Sequence, residues 1–118
     1  MTEKELLTVA VRAADDKKAE DIVVLNMRGI SAVADYFLIC HGNSDKQVQA
    51  IVREMKEKVQ EYTFDVKRIE GFDEGRWVLV DMGDVVAHIF HKDERDYYNL
   101  ERLWGDAPIE DMAEVLSQ

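Results

Sequence analysis

Asp81, Asp84, His88 and His91 are the residues whose types and spacing come nearest to a reactive centre. Asp81 and Asp84 flank one glycine turn, and His88 lies on the strand that returns from it. Carboxylate and imidazole groups gathered in this way suit magnesium or zinc. The pattern also has a plainer origin. Aspartates beside a glycine turn bond to its backbone N–H groups. His88 shares a strand face with Val86 and Phe90, where a hydrogen-bonded core histidine is the ordinary outcome. Gly42-Asn43-Ser44, opening a helix, resembles a phosphate-holding turn, because backbone N–H groups at a helix N-terminus bind anions. Phosphoryl or nucleotidyl chemistry also needs two or three carboxylates on one strand face to hold metal ions. The alternating neighbours of Asp81 are Leu79 and Gly83, so that set is missing, and Ser44 is explained as an N-cap. Cys40 lies in an apolar run and His41 points to the opposite face, so the two form no dyad. The expectation is a protein that is not an enzyme and takes no metal or cofactor.

A second kind of chemistry is recognition. Trp77, Leu79 and Asp81 share one face of a strand by period two, and Val78, Val80 and Met82 share the other. The all-apolar face is the core side, which leaves Trp77 and Leu79 on the less buried one beside a carboxylate. Tryptophan and tyrosine are over-represented among residues that anchor interfaces. Tyr97, Leu100, Glu101 and Trp104 fall on one helical face, with Tyr98 about 100° round from Tyr97. One tyrosine is expected in the core and the other, Tyr98, as the contact; Trp104 is expected to pack the helix end onto the sheet.

Charge supports a protein partner. Residues 70–118 hold 13 Asp/Glu against 4 Lys/Arg, while residues 1–69 hold 12 against 11. Aromatic groups in a field of carboxylates suit a basic protein and repel nucleic-acid phosphate. The 118 residues fit one domain, and an apolar fraction of 47% is enough for a packed core. A single cysteine excludes an internal disulfide framework. With no secretory signal at the start, this favours a reducing cytoplasm. No apolar run approaches a membrane span.

These groups must be positioned by regular elements. Thr2 and Glu5 form a capping box for a helix ending around Asp16–Lys18. Ile22 to Met27 reads as a strand. Tyr36 to Cys40 reads as a strand buried on both faces. Ser44 and Gln47 cap a second helix, on which Val48, Ile51, Val52, Met55 and Val59 follow the helical period. Phe64 to Ile69 reads as a strand, and the strand–helix–strand order predicts a right-handed parallel crossover. Trp77–Asp81 and Val85–Phe90 pair around a Met82-Gly83 turn. Residues 94–104 read as a third helix, and Ile109 to Leu116 as a short last one after Pro108. The sum is α+β: a mixed five-stranded sheet with two main flanking helices and a short C-terminal helix, in one domain spanning 1–118 with 105–118 as an extension.

The chain resembles the ribosomal silencing factor family, also called Iojap-related proteins. The resemblance rests on Asp35-Tyr36-Phe37-Leu38-Ile39, Gly42-Asn43-Ser44, Glu70-Gly71, Trp77 with Asp81-Met82-Gly83-Asp84, His88, and Tyr98 through Leu100-Glu101-Arg102-Leu103-Trp104. It covers roughly residues 3–104. Asn43 stands where the family often has threonine, and Phe90 where a smaller aliphatic is common. The resemblance implies a core similar to nucleotidyltransferases, frequent homodimers, and a translational repressor. Such a repressor binds the large ribosomal subunit through its basic protein number fourteen, where the small subunit would dock, when nutrients are short. The alternative is a nucleotide-binding or degenerate nucleotidyltransferase-like enzyme. With the resemblance added, the expected contact set is Trp77, Leu79, Asp81, Asp84, His88, Tyr98 and Glu101.

Overall fold

The structure, a computed structural model, describes residues 2–62 and 64–116. Its elements run α1 (Glu3–Asp16), β1 (Glu20–Asn26), β2 (Tyr36–Gly42), α2 (Asp45–Glu61), β3 (Arg68–Glu70), β4 (Trp77–Asp81), β5 (Val85–His91), α3 (Lys92–Tyr98), α4 (Leu100–Leu103), β6 (Ile109–Glu110) and α5 (Ala113–Leu116). The fold is α+β, and the described residues form one six-stranded sheet in the order β3-β4-β5-β2-β1-β6.

Both main helices start where their caps predict. The Thr2 hydroxyl accepts from the Glu5 N–H at 3.2 Å, and the Ser44 hydroxyl from the Gln47 N–H at 3.1 Å. Gln47 does more than close its own box. Its amide accepts from the Asn43 N–H and donates to the carbonyls of Lys17 and Lys18, which ties the start of α2 to the end of α1. The apolar stripes Leu6–Ala14 of α1 and Val48–Val59 of α2 pack together on one sheet face.

β2 is buried along its whole length. Tyr36, Leu38 and Cys40 face the two helices, and Phe37 and Ile39 face the other way. Burial pushes the Cys40 thiol up to about 12, so the group stays an inert apolar filler. β2 runs parallel to β5 and antiparallel to β1.

Four expectations need correcting. The sheet has six described strands rather than five, because Ile109–Glu110 pairs with Leu25 and Val24 on β1 instead of starting the last helix. Asn26 holds this strand by donating to the Glu110 carboxylate at 2.9 Å. The parallel neighbour of β2 is β5, not β3, which lies at the far edge beyond β4. β3 itself is shorter than the predicted 64–69 strand, covering only Arg68–Glu70. The hairpin turn is centred on Gly83-Asp84: the Met82 N–H donates to the Val85 carbonyl at 2.9 Å, and Gly83 has φ 89°. That places a glycine at the first central position, as a II′ turn requires.

The predicted third helix is also two helices. Asn99 sits between them at φ 45°, a left-handed conformation that asparagine tolerates. Its side chain caps α4 by accepting from the Arg102 N–H. The helical spacing that grouped Tyr97 with Glu101 and Trp104 therefore does not hold across this break.

Gly71 explains the Glu70-Gly71 pair. Its φ is 81°, and a Cβ built there would lie 2.4 Å from the Trp77 carbonyl oxygen. Gly71→Ala is expected to cost on the order of 2 kcal/mol from the left-handed backbone alone, with more from displacing β4. Urea unfolding followed by circular dichroism checks this. An unchanged midpoint would mean that β4 does not lie against this turn.

Candidate functional site

The face of the sheet away from α1 and α2 is built from alternate residues of four strands. β1 supplies Val23 and Leu25, β2 Phe37 and Ile39, β5 Val86, His88 and Phe90, and β4 Trp77, Leu79 and Asp81. Leu100, Trp104 and Ala107 cover part of it, together with Met27 and Ala34. The β4 margin is left half-open: Trp77 and Leu79 are half-buried while Val78 and Val80 behind them are fully buried. The period-two assignment of faces on this strand is therefore what the structure has.

Aromatic rings dominate this margin. Trp77 lies opposite Phe90 across the β4–β5 ladder and stacks on it at 5.1 Å between centroids. Tyr98 packs on Trp77 from α3 at 4.5 Å, and Tyr97 meets Tyr98 edge-on at 5.1 Å. Trp104 meets Phe37 at 6.0 Å, so it does pack the end of the α4 segment onto the sheet. Stacked and edge-on pairs of this kind add to simple area burial. The expectation that one tyrosine is core is corrected: Tyr97 is 80% exposed and Tyr98 44%. The helix is too short and lies too near the sheet margin to bury either. Sequence reasoning also passed over Leu103, which is exposed at 68% beside them. The signal that would have found it is Asn99, whose αL tolerance ends α3 and re-aims every residue after it.

His88 is not at the surface. It is 6% exposed, in edge contact with Phe37 at 4.8 Å between centroids. The Trp77 indole N–H donates to its Nδ1 at 3.2 Å. Because an indole nitrogen can only donate, Nδ1 is the acceptor and the ring proton sits on Nε2. Nε2 has no hydrogen-bond partner among the described residues. His88 thus acts on the site through Trp77, by fixing the plane of the indole.

The carboxylates divide. Asp84 is exposed at the hairpin tip. Asp81 accepts from the Gly83 N–H at 2.9 Å and lies 3.5 Å from the Arg68 guanidinium, so the turn accounts for it. Glu101 is drawn away from the rings to Arg95, at 3.3 Å. His91 caps α3, accepting from the Asp93 N–H at 3.2 Å. The structure thus brings Trp77, Leu79, His88 and Tyr98 together, keeps Asp81 on the same strand, and sets Asp84 and Glu101 at the periphery. Among the described residues no three His, Cys, Asp or Glu side chains converge as metal ligands, and no helix is long and apolar enough to cross a membrane.

Burial holds the His88 imidazole down at about 4, against an ordinary value of 6.5. The sign follows from linkage. With the folded value depressed, the stabilisation from neutral His88 is fully present above pH 6.5. It is lost as pH falls through that value towards 4, because only the unfolded chain takes up the proton there. The contribution is on the order of 3 kcal/mol. Urea titrations of wild type and His88→Phe between pH 7 and pH 4 isolate it from the carboxylates: wild type should lose about that much more. Parallel curves would mean that His88 is protonated in place.

Known proteins match this chain along its length. The family model described as ribosomal silencing factor during starvation matches residues 1–118. The chain is 68% identical over 112 residues to ribosomal silencing factor RsfS of Bacillus subtilis, covering 95% of each chain. It is 62% identical over 117 residues to the RsfS protein of Halalkalibacterium halodurans, covering 99% of this chain and all of that one. A crystal structure of a Bacillus halodurans protein superposes with a TM-score of 0.83 at 60% identity, over 92% of this chain and 99% of that one. With a family match along the whole chain and relatives at 68% and 62% identity, the chain belongs to the ribosomal silencing factor family.

Proposed function

We propose that this protein silences translation by binding the large ribosomal subunit and occupying the space where the small subunit docks. The observation that carries the reading is the half-open aromatic margin of an otherwise closed sheet, held in a family of ribosomal silencing factors. Trp77, Leu79 and Tyr98 supply apolar contact, and His88 keeps Trp77 in one orientation. Central aromatic anchors of this kind carry most of the energy of an interface. Asp81, Asp84 and Glu101 lie at its edge in the acidic half of the chain, where charge speeds encounter with a basic partner more than it tightens the complex. The partner we favour is protein number fourteen of the large subunit, met in the cytoplasm, with a homodimer as the form of the free protein.

Nothing in this mechanism is catalytic. A domain with a Cα radius of gyration of 12.8 Å, seated on one ribosomal protein at the subunit interface, obstructs joining by its volume. A nucleotidyltransferase-like layout of the core would enter only as shape, since Leu79 and Gly83 flank Asp81 where a second metal carboxylate would be required. Fold likeness brings no activity with it.

Occupancy makes the effect stoichiometric, and sucrose gradients read it. One copy per large subunit should shift mixed subunits from joined to free, and pre-joined ribosomes should resist better. Trp77→Ala, with its circular dichroism unchanged, should weaken binding by about 2 kcal/mol or more and raise the amount required accordingly. Complete block by trace amounts would replace occupancy with a catalytic modification. A folded Trp77→Ala that acts like wild type would remove Trp77 from the contact.

A further inference from the structure

Arg95 is the one Lys, Arg, Asp or Glu that is buried among the described residues, at 7% exposure. Its guanidinium lies where α3, α4, β1 and β2 meet. Nη1 donates to the Glu20 carbonyl at 3.3 Å and faces the His41 Nδ1 at 2.9 Å; Nε donates to the Glu101 carboxylate at 3.3 Å. A guanidinium has no acceptor, so His41 Nδ1 accepts. The His41 proton is thereby placed on Nε2, which lies 3.3 Å from the Glu20 carboxylate. That carboxylate also accepts from the Asn43 amide at 3.2 Å. The backbone is shaped for this arrangement: the β1–β2 register shifts between Glu20 and Val23, and Asp21 takes a left-handed φ of 49°. Bulges and strained residues of this kind are features that re-aim neighbouring groups.

A buried cation is a weak source of net stability, because desolvation offsets much of its attraction to its partners. What three acceptors on three separate elements do provide is a single geometry. α3 needs one. It has seven residues, and Asn99 ends it in a left-handed turn, so helix propagation alone does not hold it. Tyr98 stands three residues after Arg95, which puts both on the same side of α3. The Tyr98 ring rests on Trp77 at 4.5 Å.

We propose that Arg95 is the positioning residue of the contact surface: by joining α3 to the Glu20 carbonyl, the His41 ring and the Glu101 carboxylate, it holds Tyr98 on Trp77 in the arrangement the ribosomal partner meets. The proposal rests on the reading of Trp77 and Tyr98 as contact residues. It adds that the surface is built before binding, so the partner does not bear the cost of ordering α3. It also gives Glu101 a second role, from inside the protein, as an anchor for Arg95.

A double-mutant cycle tests it. Binding to purified large subunits is measured for wild type, Arg95→Met, Tyr98→Ala and the double variant, with circular dichroism for each. Arg95→Met should weaken binding about tenfold in the wild-type background and less than about twofold once Tyr98 is gone, since coupled residues are non-additive. Arg95→Lys, which keeps the charge but not the planar fork, should fall with Arg95→Met. In NMR spectra the Tyr98 ring resonances should leave their Trp77-shifted positions in Arg95→Met, while the methyl resonances of Val48, Ile51 and Ile89 stay in place. Wild-type binding by Arg95→Met, or an equal loss in both backgrounds, overturns the proposal alone. Wild-type binding by Tyr98→Ala overturns the contact reading and this proposal with it. If Arg95→Met does not fold, Glu101→Gln at the half-exposed edge of the cluster takes its place, with a loss of about threefold and the same coupling to Tyr98; no loss there overturns the proposal equally.

Discussion

A strand buried on both faces cannot be satisfied by one layer of helices, and β2 imposes that condition on the molecule. Between β1 and β5 its backbone groups are taken up by neighbours on either side, and its side chains divide between two cores. On one face α1 and α2 meet the demand in full, with α5 adding Val115 and Leu116 beside α1. Each large side chain withdrawn from water there contributes roughly 2 kcal/mol. On the other face the chain has only short pieces to offer: the segment carrying Met27 and Ala34, the two turns of α3, the single turn of α4, and Trp104. They close the sheet over Phe37 and Ile39 and run out at β4.

Under the proposed function, that shortfall joins fold to partner binding. Rings suit a margin that must be stable alone and yet, on that reading, available to a partner. They stack on one another, as Trp77 does on Phe90 and Tyr98 on Trp77, and still present area outward. Phe90 supplies the floor on which Trp77 rests. His88 sets the tilt of the indole at the cost of a buried N–H with no described partner.

Much of the frame was legible in local pattern. Caps at Thr2 and Ser44, helical stripes in α1 and α2, the two-sided apolar run of β2 and the alternation of β4 each depend on neighbours within a few residues. So did the outward face of Trp77, Leu79 and Asp81. What escaped depends on distance. Ile109 and Glu110 carry no strand signal of their own; β1 makes them a strand by offering its free edge, with Asn26 holding Glu110 from 84 residues away. The parallel pairing of β2 with β5 is likewise a tertiary choice. The burial of Arg95 is tertiary too, since its partners on β1 and β2 lie 75 and 54 residues away. Asn99 is a local signal that was present and unused, since a single left-handed residue overrides helical spacing on both sides. Asp81 and Asp84 illustrate the reverse: their grouping in sequence was a property of the turn.

The central claim is that the aromatic margin, and not the helical face, meets the ribosome. Hydrogen–deuterium exchange of the protein alone and in complex with purified large subunits tests it most directly. The account predicts slowed exchange in the complex over Trp77–Asp81 and 97–104, with α1 and α2 unchanged. Protection confined to α1 and α2, with the β4 margin exchanging as in the free protein, would contradict it.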